Sequence, residues 1–266
     1  MYKKLLIIII NIILIFKYTI ILMNKEIIQY CLLIGFTIYG IFKNSISLNP
    51  IRFHCDNYIL NTYLYFILAW SIIMATNSTL HSNNVSLQDL FSGPFTILLA
   101  LASIMLLFAL MVVPPRLFFT KHALYITEMI LLGILLYPYY VKNQSLFYHV
   151  GITTFIILIV LSGFVYLFPD LIKDSWGNYL LTALLGLIIA RVVELFIVIQ
   201  YPEYKTNHKL ISYISVTIFS LLIMYDTKKI IVNANNCYNP DYINESLSLL
   251  LDSVNIFSNI FMINEV

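Results

Sequence analysis

An all-α, polytopic membrane bundle is the fold class this sequence predicts, on three observations. Of the 266 residues, 61% are apolar and only 11% charged, with a mean hydropathy of +0.89. The apolar residues gather into runs of membrane-crossing length. Lys and Arg collect on one side of those runs. A soluble chain of this size could not hide so much apolar surface. A helix in lipid needs no polar cover and satisfies its backbone internally. The net charge of +2 is too small to suggest nucleic-acid binding. With no HExxH, Gly-x-Ser-x-Gly or P-loop pattern, neither an enzyme nor a cofactor is expected.

About nine segments qualify as spans: 5–23, 26–43, 58–76, 94–113, 122–141, 147–168, 178–201, 209–226 and 244–263. The first follows Lys3 and Lys4 as a signal peptide would. No small-residue cleavage site comes after it and Lys17 interrupts it, so it reads as a retained anchor. Residues 1–43 are therefore expected to form an N-terminal hydrophobic hairpin. Beyond Asn11, Lys17 and Gln29 it carries almost nothing polar, which suits lipid. Residues 58–263 hold about seven core helices. Cys31, Cys55 and Cys237 lack metal-ligand spacing and are read as buried, inert thiols. The abundance of Ile, Asn, Lys and Tyr fits an AT-rich genome such as that of a parasite or a large DNA virus.

Orientation follows from charge. Lys3/Lys4, Lys43/Arg52, Arg116/Lys121, Lys173 and Lys228/Lys229 share one side, which is cytosolic by the positive-inside rule. The 77–93 loop falls on the other side, has no Lys or Arg, and carries the sequons Asn77-Ser78-Thr79 and Asn84-Val85-Ser86. It reads as lumenal. Lys142, Lys205 and Lys209 are exceptions to the bias.

An ionisable group at membrane depth is costly and so is a candidate for function. Arg191 and Glu194, three apart on one helix, can neutralise each other as a structural ion pair, with a role in transport as the alternative. Glu128, soon after Lys121 and His122, is either interfacial or intramembrane. Asp226 ends a long apolar segment, and Asp252 lies midway in the last one. A polar connection of roughly 15 residues joins the two segments, which are expected to pack antiparallel and bring the aspartates together. Two carboxylates in a low-dielectric site share a proton or recruit a cation.

These residues carry a family resemblance. Met224-Tyr225-Asp226-Thr227, the polar Asp241-Tyr242-Ile243-Asn244-Glu245-Ser246, and Leu251-Asp252-Ser253-Val254-Asn255-Ile256-Phe257 resemble, in order and spacing, the signature of the transmembrane Bax-inhibitor-motif (lifeguard) family. Upstream, Tyr125-Ile126-Thr127-Glu128, Gly133 with Pro138, Gly151-Ile152-Thr153-Thr154 and Phe219-Ser220 are similar to further family motifs. Arg116 stands where the family's pore-closing arginine is expected. The departures are the 1–43 extension, the long 77–93 loop, Lys228-Lys229 in place of a commoner Gln, and no basic tail after residue 263.

The resemblance implies a pH-sensitive calcium leak in an internal membrane such as endoplasmic reticulum or Golgi, of host origin for a viral or parasite member. It also implies control of calcium homeostasis and cell death, with cell-death regulators as membrane partners beside lipid. Asp226, Asp252 and Arg116 would form a proton-sensitive latch, with Ca2+ passing transiently at the aspartates. A second reading is a non-conducting regulator acting through protein–protein binding. An intramembrane aspartyl protease is remote, because Asp252 follows Leu249-Leu250-Leu251 where that class needs Gly-x-Gly-Asp.

Overall fold

The computed structural model describes residues 25–48, 51–91, 93–200 and 207–265. The expected helix at 5–23, with Lys3, Lys4, Asn11 and Lys17, lies outside them, as does Lys205. Eight described helices are long and apolar enough to cross a membrane. They are α1 (Lys25–Ser45), α2 (Tyr58–Ser82), α3 (Pro94–Val112), α4 (Phe118–Lys142), α5 (Gln144–Leu167), α6 (Trp176–Gln200), α7 (Asn207–Asn235) and α8 (Tyr242–Glu265). Two short antiparallel strands, β1 (Ile46–Leu48) and β2 (Ile51–Phe53), link α1 to α2 and pair Ile46 with Phe53.

Turn chemistry fixes the joints. Asn57, before α2, and Asn84, after it, hold left-handed backbone (φ 53° and 54°), a conformation Asn tolerates better than most residues. A single residue, Asn143, separates α4 from α5, and its side chain caps the new helix by accepting from the Leu146 N–H at 3.0 Å. The Pro114-Pro115 pair between α3 and α4 cannot continue a helix.

The centre of the bundle is α8, which packs against α7, α2 and α5. Its Phe257 is fully buried, with ring centroids 5.8 Å from Trp70 and 4.9 Å from Phe147. The Trp70 indole N–H donates to the Ser253 hydroxyl at 3.2 Å. At Gly133 the α2 and α4 backbones come close: a Cβ there would stand 2.7 Å from that of Thr76. Helix α1 lies at the periphery. Ile27, Thr37, Ile41 and Ser45 are buried, α2 packs beside it, and Leu32, Phe36, Tyr39 and Phe42 are exposed. Its N-terminal end is tied by Glu26, which accepts from the hydroxyls of Tyr148 at 2.8 Å and Tyr140 at 3.1 Å. Glu26 is thus a polar attachment that the lipid-facing view of 1–43 overlooked.

Four sequence expectations change. Cys55 and Cys237 are not inert thiols: they form a disulfide across a sequence separation of 182 residues. The α7–α8 turn folds against the start of α2, a proximity that spacing along the chain does not reveal. Cys31 is free and exposed rather than buried. The 77–93 segment is not all loop, because α2 runs to Ser82 and Asn77 is buried, its amide donating to the Ile73 carbonyl at 2.8 Å. Of the two sequons, only that of Asn84 presents an exposed asparagine. Finally, α7 continues to Asn235, so Asp226 lies inside a helix, and the connection to α8 shrinks to residues 236–241.

Candidate functional site

Along α8, Glu245, Ser248, Asp252, Asn255 and Asn259 recur at spacings alternating between three and four. That spacing puts them on one face of the helix, as a polar stripe. Helix α7 faces it with Asn233, Lys229 and Asp226 toward the α7–α8 turn and Ser215 and Ser212 toward the opposite end.

In the half nearest the α7–α8 turn, Glu245 accepts from the Asn233 amide at 2.6 Å and from the Tyr58 hydroxyl at 3.2 Å. The Ser248 hydroxyl is within hydrogen-bond reach of Asp226, and Lys229 lies within electrostatic range of both Asp226 and Glu245. Asp252, one turn deeper, is 7% exposed and feels the charge of Asp226. Its Oδ2 has no hydrogen-bond partner among the described residues. The antiparallel pairing of α7 with α8 thus sets the two aspartates within each other's field. An ionised aspartate at such depth costs about 2.5–3.5 kcal/mol even on the forgiving insertion scale. A proton or a cation at the pair relieves that cost.

Arg116 is exposed in the α3–α4 connection. Among the described residues it forms no ion pair with Asp226 or Asp252. The buried cation at this end is Lys121, which is fully buried and bridges the Val113 carbonyl at 2.8 Å and the Asp241 carboxylate. It ties the start of α4 to the α7–α8 turn. Beside it the Tyr242 hydroxyl donates to the His54 carbonyl, and the Tyr65 hydroxyl and His122 Nε2 are 2.7 Å apart. The Phe53 ring packs edge-on to Tyr65 and Tyr242 at 5.9 and 5.2 Å. Aromatic rings and the Lys121–Asp241 ion pair therefore pack together at the end of the bundle where α8 begins. The sequence alone pointed to Arg116 by its order in the motif series, and burial, which distinguishes Lys121, is invisible there.

Glu128 lies inside the bundle, well along its helix from the start. It is completely buried, on a helix that begins at Phe118, about 15 Å along the axis. Oε1 accepts from the Ser103 hydroxyl at 2.6 Å, and Oε2 has no partner among the described residues. It contacts α3, away from the stripe.

At the other end of the stripe Arg191 and Glu194 form the expected ion pair, with Nη1 donating to Oε2 at 2.7 Å. Beyond that expectation, Nη2 donates to Ser212 at 3.1 Å, Ser215 at 3.4 Å and Asn259, joining α6, α7 and α8. A cavity of about 390 Å³ opens here, lined by Arg191, Ser215, Phe219, Asn255 and Asn259 among others. No group of three or more His, Cys, Asp or Glu side chains positioned to hold a metal ion occurs among the described residues.

Comparison with curated proteins gives no match. A family model described as inhibitor of apoptosis-promoting Bax1 matches residues 55–264. The match begins at the disulfide cysteine Cys55 and takes in every helix from α2 to α8, including both sides of the polar stripe. The chain therefore belongs to the Bax inhibitor family, as a multi-pass membrane protein.

Proposed function

We propose that the chain forms a pH-sensitive calcium leak through an internal membrane, with the α7–α8 interface as its pathway, and acts without catalysis. The observation that carries this reading is the α8 stripe: an intramembrane acid pair, Asp226 and Asp252, with one buried carboxylate oxygen left without a partner among the described residues. Carboxylate and amide oxygens suit a hard cation such as calcium. Because two neighbouring acids exchange protons as one unit, the charge that a passing cation meets depends on cytosolic pH. The aromatic cluster and the Lys121–Asp241 pair, packed where α8 begins, would close the cytosolic mouth of such a pathway. Regulation of store calcium and cell death, in endoplasmic reticulum or Golgi and with cell-death regulators as partners, would follow from such a leak.

The test is calcium flux from liposomes containing the purified full chain, measured across cytosolic pH. Wild type should leak in a pH-dependent way. Asp226→Asn and Asp252→Asn should each flatten that dependence while the protein remains folded and inserted. No flux at any pH would sink the leak in favour of a non-conducting regulator. An unaltered pH profile in both variants would dismiss the acid pair.

A further inference from the structure

The acid pair accounts for how a cation could be held in the middle of the stripe, and the ring cluster for closure at the cytosolic end. Neither opposes entry from the lumen, where stored calcium is concentrated. We propose that Arg191 is the lumenal barrier of this pathway, a fixed positive charge that limits how readily a cation enters the stripe. The inference rests on the leak reading above.

Four observations support it. Arg191 meets the stripe at its last member, since Nη2 donates to Asn259, and the hydroxyls of Ser212 and Ser215 hold the same nitrogen from α7. The adjoining cavity of about 390 Å³ is lined by both Arg191 and Asn255, and Asn255 is one helical turn from Asp252. The compensating acid lies on the arginine's own helix: Nη1 donates to Glu194, while Nη2 faces α7 and α8. The pair therefore presents its positive end to the cavity. A bond between helices could be made by Ser and Asn alone. An arginine at this depth is expensive in lipid, and a side chain of its charge is what an electrostatic barrier to cations requires.

Calcium efflux from liposomes at one fixed pH, with the protein oriented by vesicle sidedness, separates a barrier from a brace. Arg191→Lys keeps the charge and should leave efflux near the wild-type level. The doubly neutral Arg191→Gln/Glu194→Gln removes the pair as a whole and should raise lumen-to-cytosol efflux about fourfold. That is the effect on a divalent ion of removing a positive charge ~10 Å away together with a negative partner ~3 Å farther, at an effective dielectric of ~20. Glu194→Gln, which retains the contacts to Ser212 and Asn259 but unmasks the cation, should lower efflux below wild type. A brace predicts instead that all three variants lose efflux and thermal stability together, and that pattern overturns the barrier. Equal efflux from wild type, the double variant and Glu194→Gln also overturns it. If the double variant fails to insert, the Glu194→Gln arm decides alone: reduced efflux supports the barrier and unchanged efflux refutes it. A wild type that passes no calcium refutes the leak itself, an outcome distinct from a conducting wild type with indifferent variants.

Discussion

Helices α3 and α8 both cross the membrane, yet they divide its two jobs. In α3 only Thr96 and Ser103 interrupt the apolar residues, and its Ile97, Leu98, Met105 and Phe108 are exposed to lipid. In α8, Asp252, Ser253, Asn259 and Phe261 are all buried among neighbouring helices. A soluble protein would place the more apolar helix inside. Here lipid is as apolar as leucine, so apolarity draws nothing inward, and polar groups that need partners take the centre instead. Within a bilayer, polar residues mark what lies in the middle.

Exchanging side chains between these environments sharpens the contrast. The largest effect is expected at α8: Phe257→Ala removes a ring packed on Trp70 and Phe147 and should cost about 3–5 kcal/mol. Denaturation in mild detergent measures this. Next comes the α2–α4 contact, where Gly133→Val should cost about 1–3 kcal/mol because the new side chain drives into Thr76. Smallest is Ile97→Ala in α3, expected within about 0.5 kcal/mol since the methyl groups only exchange lipid contacts. A loss at Ile97 matching that at Phe257 would break the comparison and imply that α3 meets a protein partner.

Orientation offers another test. The Cys55–Cys237 disulfide lies at the Lys/Arg-rich end, which the positive-inside rule assigns to the cytosol, and cytosolic thiols are kept reduced. Alkylation of intact cells before lysis should then trap both cysteines as free thiols, while protein oxidised after lysis shows the bond. Recovery of the bond from alkylated cells would invert the orientation and place Asn84 toward the cytosol.

The spans were legible because lipid imposes long apolar runs that no other environment demands. Helix α7 was cut short at Asp226 because Lys228 and Lys229 end the apolar run, although the helix continues past the membrane to Asn235. The stripe was partly legible: Asp226, Glu245, Asp252 and Asn255 are in the signature, and the three-four spacing extends it to Asn259. Lys121 with Asp241 was not legible, since a lysine near a helix start reads as interfacial until neighbouring helices bury it. The second oxygen of Glu128 and the three-helix span of Arg191 depend likewise on which faces meet, and helices this uniformly apolar do not announce their faces.

The disulfide makes the domain a closed loop of chain. Helices α2 to α7 lie between Cys55 and Cys237, so the bond joins the first of six consecutive spans to the last. Translation must deliver all six before the two sulfurs can meet, so in protein oxidised after lysis the bond reports a finished insertion. A protease that nicks the segment around Asn84 would cut the backbone without parting the pieces. Two fragments would separate only on reduction, so an unreduced gel would count one molecule where the backbone has already become two.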